Sequence, residues 1–159
     1  MTLFRAPDFV PPSSLARSLF LAGGIGALAP VSDWQSELVA RLHDTDWTLL
    51  NPRRDNYPAD DPQALRQQIE WEHHYLQVAS AISFWFPPET LCPISLYELG
   101  AWANWQGADG SQKPLVVGAH PDYAKRADLE IQLELARPEI EVMKSLEELE
   151  ARIRALSSD

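Results

Sequence analysis

The stretch "PISLYELGAW" sets a single carboxylate, Glu98, inside an otherwise apolar run beside a helix start. A carboxyl in such surroundings can attack as a nucleophile or carry a proton. The spacing Ser95-Leu96-Tyr97-Glu98 equally fits a capping box, in which the glutamate reaches back to the cap amide, and Ser145-Leu146-Glu147-Glu148 fits the same template. Both readings stay open. Two features favour chemistry: Leu96, Tyr97, Leu99, Ala101, Trp102 and Trp105 leave the helix few wet faces. A first-turn position would also set Glu98 near the helix's positive end, which stabilises the ionised form.

Other segments offer weaker chemistry. Gly23-Gly24-Ile25-Gly26 nearly matches a dinucleotide fingerprint as Gly24-x-Gly26-x-x-Ala29, but Pro30 follows at once and the next strand ends in Asn51 rather than a ribose-binding acid. The glycines therefore read as a close ligand approach or as a plain turn. Arg53 and Arg54 form the one basic pair beside a strand end. Arg53 could fork onto a phosphate, which would make nucleotides preferred to nucleosides, while Arg54 reads as a partner of Asp55, Asp60 or Asp61. Glu70 and His74 stand at metal-pair spacing without a third ligand, so no metal is expected. Cys92 has no histidine base nearby and reads as an inert thiol; Glu72, beside Trp71 in the middle of a helix, reads as surface.

The elements that must position these residues follow from periodicity. Short apolar runs at 18–23, 47–51, 81–86, 114–118 and 140–143 read as five strands. Helix-start signals separate them: Ser32 with Gln35, Asp61 before Pro62, Ser95 with Glu98 and Ser145 with Glu148. Strands apolar on both faces and alternating with helices imply an α/β fold, a three-layer flavodoxin-like arrangement with a five-stranded parallel sheet of order 2-1-3-4-5. Its ligand crevice lies outside the carboxyl ends of the strands, where the order reverses, so the loops "GGIGALAP" and "PPETLCPIS" face the ligand. Residues 1–16, with Pro7, Pro11 and Pro12, read as an irregular lead-in that drapes over a single domain spanning 17–159, whose last residues fray.

The chain of 159 residues carries 23 acidic and 13 basic side chains, a formal charge of −10, which disfavours nucleic-acid polymers and anionic membranes as partners. A single cysteine, no basic and apolar leader and no long apolar run make a soluble cytoplasmic protein the expectation.

Taken in order, "SLFLAGGIG", "LNPRR", "IEWEHHYLQVASAISFWFP", "ETLCPISLYELG" and "KPLVVGAHPDY" resemble the nucleoside 2-deoxyribosyltransferase-like family over roughly residues 18–135. The resemblance implies an enzyme, without a cofactor, that attacks the anomeric carbon of a small-molecule nucleoside or nucleotide and releases the base. It places the nucleophile on Glu98 and the acid that handles the leaving base on Glu72. It also implies substrate contacts from Gly23, Gly24 and Ile25, from Asn51 and Arg53, and from Phe86 and Ser95. A homo-oligomer is implied too, with Asp128 near a neighbouring subunit's site. A tyrosine of the family's first strand corresponds to Phe20, and a second base-contacting acid falls near Cys92, with Glu89 as a substitute. A nucleotide-binding sensor without turnover and an NAD-cleaving enzyme are the competing readings.

Overall fold

The computed structural model describes residues 1–26, 30–58 and 60–156. Ala29 of the glycine spacing and residues 157–159, part of the tail expected to fray, therefore lie outside the described residues. Strand β1 spans Thr2–Arg5, β2 Ser18–Gly23, β3 Thr48–Asn51, β4 Ala81–Phe86, β5 Leu115–Ala119 and β6 Val142–Met143. From β2 onward, helices α1 (Trp34–Arg41), α2 (Ala64–Val78), α3 (Pro93–Ala103), α4 (Arg126–Ala136) and α5 (Leu146–Ala155) alternate with the strands. All strand pairs are parallel and the order is β1-β3-β2-β4-β5-β6. The five expected strands keep their expected order, and β1 is added outside β3.

That sixth strand corrects the irregular lead-in. Thr2 to Arg5 pair in register with Thr48 to Asn51, a contact between segments far apart in sequence that four residues cannot announce locally. Beyond β1 the chain does drape over the fold. Trp71 Nε1 donates to the Asp8 carbonyl at 2.8 Å, and the Val10 amide donates to the Tyr75 hydroxyl at 2.9 Å.

Alternation along each strand builds two cores. Phe20, Leu50, Ile82, Phe84, Phe86 and Val117 meet Trp71, Tyr75, Leu99, Leu129 and Leu133, so α2, α3 and α4 cover one face. Leu19, Leu21, Leu49, Trp85 and Val116 meet Trp34, Leu38, Leu149 and Ile153, so α1 and α5 cover the other. With both faces buried, the central strands β2 to β5 show no wet side, which is why their runs are apolar throughout.

Helix starts are set by local capping. Asp33, not Ser32, caps α1, its carboxylate accepting from the Ser36 amide at 3.1 Å. Asp61 Oδ1 accepts from the Gln63 amide at 2.8 Å and turns the chain into α2. Ser145 caps α5 as expected, accepting from Glu148 N at 3.2 Å.

Two contacts fix the helices that matter most for the site. Lys113 Nζ donates to the Leu76 and Gln77 carbonyls at the end of α2, both at 2.7 Å, and lies 4.3 Å over the Trp102 ring of α3. Burial lowers this ammonium to about 8. The Tyr123 hydroxyl donates to the Leu91 carbonyl at 2.8 Å, pinning the loop that enters α3.

Gly23, at the end of β2, has φ of +151°, and a Cβ there would lie 2.2 Å from the Trp85 carbonyl oxygen. Gly23→Ala should lower stability by about 2–4 kcal/mol, read as an earlier urea midpoint with an unchanged slope.

Candidate active site

Parallel strands send all their carboxyl ends to one edge, where Gly23, Asn51, Phe86 and Ala119 close β2, β3, β4 and β5. The helices α2 and α3 start from that edge and pack side by side on one face of the sheet. Glu72 and Glu98 belong to these two helices.

Helix α3 starts earlier than the serine spacing indicates. Cys92 occupies the cap position in the left-handed region (φ 48°, ψ 51°), and Pro93 opens the first turn, where its missing amide is harmless. Ser95 is buried inside that turn and no side chain caps the helix. The capping box at Ser95 is therefore not formed, and Glu98 lies beyond the first turn, away from the helix's positive end. Burial first, and the neighbouring Glu72 charge second, push its carboxyl up to about 8. The first-turn argument for an ionised Glu98 is thus reversed in the ligand-free protein.

Glu72 is half-buried and held above its ordinary value by burial, an effect reduced by a hydrogen bond from Gln68 Nε2 at 2.8 Å. Its surface reading is corrected: it faces Glu98 closely enough for its charge to be felt there. No ion pair to either carboxyl is found among the described residues. Two carboxyls close together without a cation hold on to a proton between them.

The other expected contacts divide. Gly24 is buried, and a Cβ on it would meet Cys92 Sγ and Thr90 Cγ2 at 2.8 Å, so protein atoms fill the space beside it; Ile25 is half-buried at the same strand end. Asn51 Oδ1 accepts from the Arg53 amide at 2.9 Å. Arg53 donates through Nε to Gln35 Oε1 at 3.0 Å and through Nη2 to the Ser32 carbonyl at 3.1 Å, and it lies 3.5 Å from Asp33. Its charge is therefore answered within the protein. Arg54 turns to the Ala6 carbonyl and Gln67 and to the Tyr57 ring rather than to an aspartate.

Phe86 is fully buried, 5.3 Å from the Tyr123 ring, and belongs to the core. Asp128 is exposed on α4, 3.5 Å from Lys125. Glu89 Oε1 accepts from the Ser32 amide at 3.4 Å. The Phe20 ring lies tilted against Trp71, centroids 5.9 Å apart, without a hydroxyl to offer Glu98. Burial raises the Cys92 thiol to about 11, in keeping with an inert side chain.

Gln68 is the neighbour that sequence reasoning passed over. The signal was present in its i, i+4 spacing to Glu72, which places both on one helix face.

Residues 16–123, more than half of the chain, match the family described as nucleoside 2-deoxyribosyltransferase like. The chain belongs to this family. None of the curated proteins compared with it matches. The residues matched to the nucleoside 2-deoxyribosyltransferase-like family cover β2 through β5 and both carboxyl-bearing helices. Glycosyl transfer on nucleosides is the chemistry the family points to. No described helix is long and apolar enough to cross a membrane.

The raised Glu98 carboxyl fixes a stability trend. The folded state holds a proton that the unfolded chain releases near 4.5, so this contribution is complete below that pH and is lost as pH rises towards about 8. Glu98→Gln removes a titrating group while keeping the shape. Its melting temperature should match wild type near pH 4.5 and exceed it at pH 8.5, as read by differential scanning calorimetry.

Proposed function

We propose that this protein cleaves the N-glycosidic bond of a nucleoside or nucleotide through Glu98 as nucleophile, with Glu72 exchanging a proton with the base. The observation that carries the reading is the pair itself: two partly buried carboxyls on two helices that start where the strands end, the charge of Glu72 felt at Glu98, and neither answered by any described cation.

The chemistry needs the pair singly protonated. Ionised Glu98 attacks the anomeric carbon as the carbon–nitrogen bond breaks. The bonding electrons leave with the base, which takes the proton from Glu72, and a glycosyl ester remains on Glu98. A second base or water, losing its proton to Glu72, then attacks the same carbon and frees Glu98. The first acceptor gives transfer and the second gives hydrolysis.

In the ligand-free pair the proton favours Glu98. Positive charge developing on a bound sugar draws out the Glu98 anion, and the proton is then held by Glu72 with no change in the pair's net charge. Binding thus sets the order that the free protein lacks.

A nucleotide-binding sensor without turnover is the second reading, favoured by one observation. Phe20, in the place where the family resemblance calls for a tyrosine, is buried against Trp71 and offers Glu98 no hydrogen bond. Incubation with a panel of nucleosides and their 5′-monophosphates separates the two: release of free base supports cleavage, and saturable binding without release supports the sensor.

Glu98→Gln should reduce base release by about a thousandfold or more with ligand binding retained. Glu72→Gln should slow unactivated bases by about a hundredfold and activated leaving groups far less, because only the former need the proton. The pH profile of kcat/KM should be bell-shaped, its alkaline limb near the value of about 8 at which the free pair loses its proton.

A further inference from the structure

Gln68 lies one helical turn before Glu72 on α2. Its Nε2 stands 2.8 Å from Glu72 Oε1 and 2.7 Å from the Pro52 carbonyl oxygen, in the connection between β3 and α2. A backbone carbonyl only accepts, so the amide nitrogen must face it, and that settles which end of the side chain meets Glu72. The other end, Oε1, is buried without a partner. An orphaned acceptor is tolerated where the opposite end is needed, and flipping the amide would set an oxygen against two oxygens.

We propose that Gln68 is the positioning residue for the proton on Glu72: it occupies Oε1 with a donor and so leaves Oε2 as the oxygen that carries the proton to and from the base. This rests on the function proposed above. In water the two oxygens of a carboxyl are equivalent; a donor fixed at one of them makes them unlike, because a proton on that oxygen would meet the amide hydrogen. Anchoring Nε2 on Pro52 also sets the donor from outside the helix, so the carboxyl is held relative to the sheet edge and not only to its own turn.

The same bond stabilises the Glu72 anion between proton transfers, against the burial that opposes it. The titratable group facing Glu72 from α3 is Glu98, and the group reaching it from the β3–α2 connection is the Pro52 carbonyl, through Gln68. No described cation is paired with Glu72. Gln68 is thus the polar side chain that offsets the effect of burial on this acid.

Gln68→Met keeps the length and removes both donors. Carbon-13 glutamate carboxyl NMR of the ligand-free protein, with Glu72 assigned by its loss in Glu72→Gln, should show the Glu72 midpoint moving up by roughly half a unit or more. In turnover, kcat for an unactivated nucleoside should fall about tenfold with KM nearly unchanged. An activated leaving group should be spared, and the alkaline limb of the pH profile should move up. Gln68→Glu, which sets a like charge beside Glu72, should raise the midpoint further, and the same titration decides the matter if the methionine variant does not fold. An unmoved Glu72 midpoint, or equal slowing of activated and unactivated substrates, overturns the proposal. Failure of the wild type to release any base overturns the function instead, and the titration still decides the role of Gln68.

Discussion

Every central strand of this sheet is covered on both faces, and the architecture follows from that constraint. Strands without a wet side cannot be joined by short hairpins across an open face, so each connection becomes a helix that doubles as cover. The result gathers the carboxyl ends of β2, β3, β4 and β5 at one edge. Chemistry placed anywhere in the sequence just after a strand, or early in a helix, arrives at the same crevice. Glu72 comes close enough to Glu98 for its charge to be felt there, although a whole strand and its loop separate them.

Holding the two carboxyls near each other requires the helices, not only the strands, to be fixed. Lys113 does this at the far ends of α2 and α3, bridging the last carbonyls of one to an aromatic ring of the other. Tyr123 does it near the start of α3. The site carboxyls themselves have no such counter-charge among the described residues. The protein places its buried cation where it braces the frame, and leaves the acidic pair without a counter-charge among the described residues, which is a costly arrangement.

Much of this was legible in the sequence, and the limits have physical causes. The doubly apolar runs announce parallel strands because burial on two faces removes the usual alternation. β1 escaped because its identity as a strand is conferred by Asn51 and its neighbours, not by four residues of its own. Ser95 looked like a cap because spacing cannot reveal that Cys92 adopts a left-handed conformation three residues earlier. That one backbone angle moved Glu98 out of the first turn, while burial and the neighbouring Glu72 charge reversed the expected charge state. Arg53 looked available for an anion because its partners Gln35 and Asp33 come from a different helix. The pairing of Glu72 with Glu98 came from the family resemblance; the order in which they hold their proton needed the fold.

The start of the chain has a mechanical place in this scheme. By clasping Trp71 and Tyr75 through the backbone of Asp8 and Val10, the first ten residues strap the helix that carries Glu72 from its outer side. Glu72, next to Trp71 in sequence, therefore rides on a helix held both by the sheet beneath it and by the start of the chain.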